Sequence, residues 1–419
     1  MALLSSVRCE RVRLALHAFL LAMLVIGLSE NRAPAGPLPR LAILDSDALI
    51  GIKKRLQTSD AALGPPLTKL KHDAEQALHL KPQSVTDKAL LPPSGSKHDY
   101  MSIAPYWWPN PSTADGLPFV RRDGEVNPAR DRRSDRRRLE KLIESVKSLA
   151  LAYFFSARED DAAHAAKLLR VWFLDPSTKM NPNLRYAQSV PGRNAGRGAG
   201  IIETHDLPEL VDFVSLLAGS QAWRERERQQ WRDWLEAYVS WLIESPEGKM
   251  EAKAQNNHGT WYDVQVAAFG AFTGQDELAK KTLGEFPAHR IDAQIQPDGR
   301  QDRELARTRS WDYAIFNLEA LFNAASIADK LGFHLWHYRS SDGRSIRQAL
   351  DWLVPFAVGD RKWSYRQIGL FRPEKLAPLL RRASVAYHEP AYELAISRLK
   401  ALTGKERWEL LFPKFAEVK

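Results

Sequence analysis

The feature of this sequence that most constrains its fold is a helical spacing of apolar residues along nearly the whole chain. In 138–154 the apolar residues recur at intervals of three and four, and the same spacing returns in 228–244. Such spacing places apolar side chains on one face of an α-helix. Further runs of this kind cover 161–174, 260–273, 311–331, 344–357 and 384–402. No long alternating run and no Asn-Gly turn indicates a sheet. The sequence therefore predicts an all-α fold of helical hairpins, arranged as a bundle, a solenoid or a closed toroid.

The first 35 residues have the pattern of a cleavable export signal, followed by a single domain at 36–419. The parts of the signal are Arg8, Arg11 and Arg13, the apolar run 14–27, and the small-x-small motif Ala33-Pro34-Ala35. The apolar run is short for a membrane span, and an uncleaved N-terminal anchor is the alternative. We therefore expect a periplasmic or secreted protein with no membrane span in its mature chain.

The cysteine content limits the kinds of site that this chain can form, and its charge indicates the class of partner. The only cysteine is Cys9, inside the predicted signal. Its position excludes a disulfide framework, a cysteine nucleophile and a thiolate zinc site in the mature chain. There is no metal-binding motif, so we predict no metal and no cofactor. The formal net charge of +9 favours an acidic partner. We expect an acidic polysaccharide rather than nucleic acid, with a merely solubilising basic surface as the alternative.

The stretch QNNHGTWYD, residues 255–263, places two amides, an imidazole and a glycine directly before a helical run. Asn256 or Asn257 can cap that helix. Two asparagines and a histidine are more polar than one cap needs. An asparagine amide can bind a carboxylate, and His258 can accept a proton near neutral pH. The stretch is therefore a candidate for the edge of an active site.

A second candidate lies in 299–321, where Arg303 and Arg307 precede Tyr313 at the start of a helical run. A basic loop followed by a core tyrosine is one interpretation. The functional interpretation is an arginine that holds an anion and a tyrosine that transfers a proton. Because a neighbouring positive charge favours the tyrosinate, we expect Arg307 to lower the pKa of Tyr313.

Two long loops, 91–135 and 180–204, are predicted to be ordered and functional. The first contains YMSIAPYWWPNP, whose rings suit the faces of sugars, although a hydrophobic plug against the helices is the alternative. The candidate sugar-binding residues of this loop are Tyr100, Tyr106, Trp107 and Trp108. The second loop offers Arg193 and Arg197 to an anionic substrate.

Taken together, NNHGTWYD, the downstream RELARTRSWDY and the upstream DYMSIAPYWWPNP resemble the alginate-lyase-domain polysaccharide lyases over roughly 95–355. The resemblance is closest to polysaccharide lyase family thirty-eight and more distant to family five, whose Asn-Asn-His is followed by residues other than Gly259-Thr260. It implies an incomplete-barrel (α/α) toroid and metal-free β-elimination on a uronic acid polymer. The residues that correspond to the family's catalytic set are Asn257, His258, Arg307 and Tyr313. We add Asn256, Trp261 and Arg303 to the substrate-binding candidates.

The expected function is cleavage of alginate, in particular polymannuronate, or of glucuronan, giving 4,5-unsaturated uronate ends. A glycoside hydrolase on the same toroid is the first alternative. It needs two carboxylates, for which the candidates are Glu203, Asp263 and Asp312. A non-catalytic polysaccharide-binding protein is the second alternative, and it would tolerate loss of Tyr313.

Overall fold

The computed structural model describes residues 40–415, so the predicted export signal lies outside the described residues. Most of the described chain is α-helical. The helices in chain order are α1 Ser46–Gln57, α2 Gly64–Leu78, α3 Arg136–Ser156, α4 Glu159–Leu169, α5 Leu207–Ser215, α6 Glu225–Glu244, α7 Pro246–Ala252, α8 Asn257–Thr273, α9 Asp276–Phe286, α10 Asp292–Gln294, α11 Asp302–Leu305, α12 Ser310–Lys330, α13 Ile346–Ala357, α14 Ala377–Ala386 and α15 Ala391–Ser397. The strands are short: β1 Met101–Ile103, β2 Trp107–Trp108, β3 Val120–Arg121 and β4 Tyr186–Ser189.

Helices that are close in sequence pack against each other as hairpins. Helix α2 packs on α3, α3 on α4, α8 on α9, and α14 on α15. Their apolar stripes face one another, which removes them from water. The all-α prediction is confirmed, and the hairpins form an (α/α) toroid. Within residues 40–415, no helix combines the length and apolarity that a membrane crossing requires.

One predicted helix is wrong in its extent. The run 384–402 is divided between α14 and α15, which end and begin on either side of a turn. In that turn His388 has a φ of 50°, a left-handed conformation that stops a helix. Pro390 then occupies the N-cap position of α15. Apolar spacing continues across the turn by coincidence, so periodicity alone does not reveal the break.

Helix α8 lies at the centre of the fold. It packs against α5, α6, α7, α9 and α12, and most of its residues are buried. Buried polar side chains link it to its neighbours. The Thr260 hydroxyl donates to Gln294 Oε1 (3.1 Å), which also accepts from Asn317 Nδ2 of α12 (3.1 Å). Because buried polar groups need partners, these bonds fix how α8 sits against α12.

The two long loops are ordered, as predicted. Strands β1 and β4 pair in parallel and join the first loop to the second. Strands β2 and β3 pair in antiparallel fashion, with Trp107 opposite Arg121 and Trp108 opposite Val120. The aromatic segment therefore forms one strand of a short hairpin within the 91–135 loop.

The first described residues are tied to helices that come much later in the chain. The buried Asp212 carboxylate of α5 accepts hydrogen bonds from the backbone N–H groups of Ile43 and Leu44, both at 2.7 Å. The Lys330 ammonium, at the end of α12, donates to the Leu41 carbonyl at 2.9 Å. We call these contacts of 41–44 the Asp212 clamp. They attach the first described residues to α5 and α12.

Candidate active site

The start of α8 is held by a buried arginine and needs a glycine. Arg290 donates to the carbonyls of Ala252 (2.8 Å) and Ala254 (2.7 Å), and it forms an ion pair with Asp263 (2.7 Å). A Cβ on Gly259 would lie 2.1 Å from the Ala254 oxygen and 2.3 Å from the guanidinium. Only glycine permits this close approach. The glycine of NNHG is thus explained by packing under the site.

His258 stands in the first turn of α8 and is oriented by a carboxylate. Its Nδ1 lies 2.6 Å from Oε1 of Glu251, whose side chain is almost fully buried on α7. Glu251 accepts a hydrogen bond when Nδ1 carries the ring proton, and Nε2 is then the ring's free nitrogen. The His258 side chain is partly exposed, as a proton-transferring group needs to be.

Asn257 is buried beneath the site and is bound twice by one glutamate. Glu304 accepts from the Asn257 backbone N–H and from its Nδ2, both at 2.7 Å. The amide oxygen Oδ1 has no hydrogen-bond partner among the described residues. Burial raises the pKa of Glu304, although the bonds from Asn257 and the charges of Arg307 and His258 oppose this. Glu304 therefore joins the two predicted motifs.

Tyr313, in the first turn of α12, has a hydroxyl group that contacts two other polar side chains. Its hydroxyl lies 2.6 Å from that of Tyr106 and accepts from Arg307 Nη2 at 2.9 Å. The Arg307 guanidinium also lies over the Tyr313 ring, 3.8 Å from its centroid. Burial and the neighbouring Tyr106 raise the pKa of Tyr313 well above its usual value, and Arg307 opposes this only in part. The prediction that Arg307 lowers the pKa of Tyr313 is therefore wrong, because the net shift is upward.

Asp123, from the 91–135 loop, fixes Arg307 in place. It accepts from Arg307 Nη2 at 2.7 Å and from the backbone N–H of Thr308 at 3.2 Å. Burial alone would raise the pKa of Asp123, but these bonds and the Arg307 charge lower it to about 2. Gly124 has a φ of 74°, and a Cβ there would lie 2.2 Å from the Thr308 hydroxyl. The loop can therefore approach the Arg307 turn closely only with glycine at this position.

Further arginines line the same region. Arg121 donates to Asp123 at 2.7 Å, and Arg197 Nη2 donates to Gln188 Oε1 at 2.7 Å. Burial lowers the pKa of Arg197, and the nearby negative charge of Glu251 opposes this. Gln188 has a φ of 48°, an unusual value for a residue other than glycine. Such backbone conformations are concentrated at functional sites.

The aromatic hairpin carries stacked arginines. Arg193 lies over the Trp107 ring at 5.2 Å, and Arg122 over the Trp108 ring at 5.1 Å. Both rings are partly exposed. Two partly exposed indole rings, each with an arginine beside it, suit a substrate that is both a sugar and an anion.

Two of the predicted substrate-binding residues are not available to a substrate. Tyr100 is fully buried and donates its hydroxyl to Glu203 at 2.8 Å. Trp261 is 2% exposed, and its indole N–H donates to the Phe316 carbonyl at 3.2 Å. Both predictions are corrected: these rings belong to the core. Asn256 is partly exposed at the N-cap position of α8, without a side-chain capping bond.

Arg303 is exposed on α11 and forms no ion pair within residues 40–415. Its guanidinium is therefore accessible to an anion, but no contact ties it to Arg307 or Tyr313. Its role as a substrate-binding residue stays a prediction.

The carboxylates that hydrolysis would need are otherwise engaged. Glu203 has no exposed side-chain surface and accepts from Tyr100 and Ser102. Asp263 is paired with Arg290. Asp312 binds Lys375 and accepts from Gln367 at 2.9 Å. None of these three forms the open pair that flanks a scissile glycosidic bond.

The sequence analysis missed three carboxylates that hold the site together. Asp123 orients Arg307, Glu251 orients His258, and Glu304 binds Asn257. Glu251 lies seven residues before His258, and Glu304 lies within RELARTRSWDY three residues before Arg307, whereas Asp123 is far from Arg307 in the sequence. Among residues 40–415, no group of three or more histidine, cysteine, aspartate or glutamate side chains is arranged to hold a metal ion.

Comparisons with known proteins agree with this architecture. A sequence model described as alginate lyase matches residues 84–363. The chain is similar to the crystal structure of an alginate lyase from Bacteroides ovatus, with 40% identity and a TM-score of 0.86 over 89% of this chain and 98% of that one. A comparison with curated proteins finds no significant match.

More distant structures share the fold alone. A variant of alginate lyase A1-III complexed with a tetrasaccharide has 15% identity and a TM-score of 0.52, over 85% of this chain and 98% of that one. An apo form of an A1-III variant has 17% identity and a TM-score of 0.55, over 87% and 94% of the two chains.

These likenesses first define a class: the chain is an enzyme, a polysaccharide lyase built on a helical toroid. Within that class it belongs to the alginate lyase family, whose sequence model covers most of its length.

Proposed function

We propose that the substrate is alginate and that the site cleaves it by β-elimination with Tyr313, His258, Arg307 and Asn257. The observation that carries this proposal is the partly buried Tyr313, whose hydroxyl accepts a hydrogen bond from Arg307 at 2.9 Å. The titles of the related structures describe alginate lyases, one of them complexed with a tetrasaccharide. Placement in polysaccharide lyase family thirty-eight stays a prediction.

The reaction removes the C5 proton of a uronate and expels O4, so that a C4–C5 double bond forms. A base takes the C5 proton, the C5–H electron pair becomes the new double bond, and an acid protonates the leaving O4. Negative charge builds up on the uronate carboxyl group in the transition state. The second Nδ2–H of Asn257, whose first is used by Glu304, is the donor that we assign to that carboxyl group. Asn257 is 1% exposed, so the carboxyl group must reach it at the base of the site.

Two proton-transferring groups suit a polymer with two kinds of uronate. In guluronate H5 and O4 lie on opposite sides, so His258 serves as base and Tyr313 as acid. In mannuronate they lie on the same side, and Tyr313 then performs both transfers. The raised pKa of Tyr313 favours its protonated form, which is the form that an acid needs. Alginate contains both uronates, whereas glucuronan offers only the second geometry.

Arg307 serves the tyrosine and the substrate by its charge. Its guanidinium contacts the Tyr313 hydroxyl and is held by Asp123. To act as base, Tyr313 must first lose its hydroxyl proton to solvent. The positive charge of Arg307 stabilises the resulting phenolate, which then takes the C5 proton and passes it to the leaving O4. Arg193 and Arg197 supply further positive charge for the uronate carboxylates along the chain.

The export signal and the periplasmic or secreted location remain part of this proposal. They are supported by the arginines and the apolar run at the N-terminus and by the position of Cys9. N-terminal sequencing of the protein exported by a bacterial host tests this. A mature chain beginning near Gly36 is expected, and an intact Met1 in the membrane fraction would indicate an anchor.

The experiment that tests the activity uses polymannuronate, polyguluronate, glucuronan and hyaluronan without added metal. Ultraviolet absorbance reports the C4–C5 double bond. We expect absorbance to rise with both alginate polymers and more slowly, or not at all, with the others. New reducing ends without absorbance would indicate hydrolysis and contradict the proposal. No reaction with either alginate polymer would reject alginate as substrate.

A further inference from the structure

A cavity of about 500 Å³ lies between α6, α7, α8 and α9, and none of the catalytic candidates lines it. Its volume is in the range of small-ligand sites in proteins. Arg290 forms part of its wall and also donates to the carbonyls of Ala252 and Ala254, just before Asn256. The cavity therefore borders the segment that leads into the candidate active site, but is separate from it.

The rim of this cavity carries uncompensated positive charge. Lys249, Lys253 and Lys281 line it, are exposed, and form no ion pair within residues 40–415. Arg290 and Asp263 neutralise each other, and Glu285 is the other carboxylate of the lining. Three lysines against one glutamate leave the cavity cationic. Like charges around a concave surface repel each other and raise the local concentration of anions.

The floor, by which we mean the less exposed part of the cavity lining, is largely apolar. Its residues are Ile243, Tyr262, Val266 and Leu278, of which Tyr262 and Val266 are buried. A small inorganic anion would gain nothing from such a floor. A uronate residue has a C–H face that can lie against apolar side chains and a carboxylate that can reach the rim. This combination favours an anionic sugar over a simple ion.

We propose that this cavity is a second, non-catalytic binding site for a segment of the acidic polysaccharide. The inference rests on the substrate class proposed above. A polymer bound at both places is held to the enzyme while the catalytic site releases one product and takes the next segment. The second site then raises the effective concentration of polymer at the catalytic site without taking part in the reaction.

The test compares two triple variants with the same charge change. Lys249→Ser, Lys253→Ser and Lys281→Ser together remove the cavity lysines. Lys54→Ser, Lys71→Ser and Lys400→Ser remove exposed lysines that do not line the cavity. All six side chains are exposed, so both variants should fold. Binding of a saturated tetramannuronate is measured by calorimetry in a Tyr313→Phe background, which prevents turnover.

We expect two binding events in the parent and the control variant, and one in the cavity variant. With active enzyme, we expect the KM for long polymer to rise about threefold or more in the cavity variant, with kcat on short oligomers unchanged. A single event in all three proteins would overturn the inference and leave the proposed substrate intact. No binding at all would overturn both.

Inorganic phosphate provides the second control. Phosphate that displaces tetramannuronate from the cavity at similar concentrations would show a general anion site and reject the saccharide assignment. Oligouronate binding that millimolar phosphate does not displace supports it.

Discussion

At the scale of single residues, Tyr313 shows why neighbouring charge alone does not set a pKa. Arg307 touches its hydroxyl, which favours the phenolate. The hydroxyl is also largely removed from water and faces Tyr106, and both effects favour the protonated form. Burial and Tyr106 together outweigh the Arg307 charge, so the pKa of Tyr313 is raised. A sequence shows that an arginine is near a tyrosine, but it does not show how much water the folded site excludes.

Tyr313→Phe removes the hydroxyl and leaves the ring packing intact. We expect kcat on alginate to fall by roughly 10²–10⁴-fold, the range for loss of a proton-transferring group. Circular dichroism and the melting temperature should change little. Tyr387→Phe is the matched control, because its buried hydroxyl has no hydrogen-bond partner among the described residues. Near-normal turnover in the Tyr313 variant would show that another group protonates O4.

Asp123 links the site to stability at acid pH. The pKa of Asp123 in the folded protein is lowered to about 2. Its contribution is therefore present above the unfolded-state pKa and is lost as pH falls from about 4 through about 2. Allowing for solvent screening, we expect about 1 kcal/mol.

Asp123→Asn tests this linkage through chemical denaturation between pH 2 and pH 7. The difference in the free energy of unfolding between wild type and variant should be constant above pH 5 and should shrink below pH 4. A difference that does not change across this range would mean that Arg307 does not depress the Asp123 pKa.

At the scale of elements, α8 carries both the catalytic candidates and the packing that positions them. Gly259→Ala forces a Cβ to within 2.1 Å of the Ala254 oxygen. We expect a loss of roughly 1–3 kcal/mol in stability, as for other overpacked sites. Activity should fall as well, because Asn257 and His258 would move with the displaced turn. Denaturant unfolding and alginate cleavage give the two readouts.

Gly284→Ala is the control for that variant. A Cβ at Gly284 meets only Phe333, at 3.7 Å, within the helical α9. Alanine is the better helix former, so we expect this change to be neutral or to stabilise by roughly 0.5–1 kcal/mol. Equal effects of the two substitutions would contradict the packing argument for Gly259.

Elements with a clear apolar stripe are predictable from the sequence, and partners across space are not. The spacing in 138–154 predicts α3, and the resemblance selects Asn257, His258, Arg307 and Tyr313. Asn257 and His258 begin α8, and Arg307 lies in the turn that leads into α12, where Tyr313 is in the first turn. Asp123 lies 184 residues from Arg307, so nothing in the local pattern marks it as a partner. The exposure of a side chain is hard to predict for the same reason, because it depends on segments that are distant in the sequence.

The rings that the sequence cannot sort illustrate this. Tyr100 and Tyr106 belong to the same aromatic segment, yet the first is fully buried against Glu203 and the second reaches Tyr313. Which ring faces a cleft depends on the pairing of β1 with β4 and of β2 with β3. Those pairings bring together residues far apart in the chain.

At the scale of the whole molecule, the Asp212 clamp makes the first described residues part of the body of the fold. Asp212→Asn puts an N–H₂ group among backbone N–H donors and removes the charge that they bind. We expect the free energy of unfolding to fall by roughly 1–3 kcal/mol. Activity at low temperature should be retained, because no catalytic candidate contacts the clamp. An unchanged denaturation midpoint would show that 41–44 contributes little.

The clamp also determines when its contacts can form in a chain that is synthesised from the N-terminus. Leu41 is bonded to Lys330, 289 residues later, and Ile43 to Asp212, 169 residues later. The segment 41–44 therefore has neither partner until Asp212 has been synthesised, and its contacts are complete only after Lys330. Until then the contacts of the Asp212 clamp cannot all form. For the export that we propose above, a fold that cannot close early helps, because an exported chain crosses the membrane in an extended state.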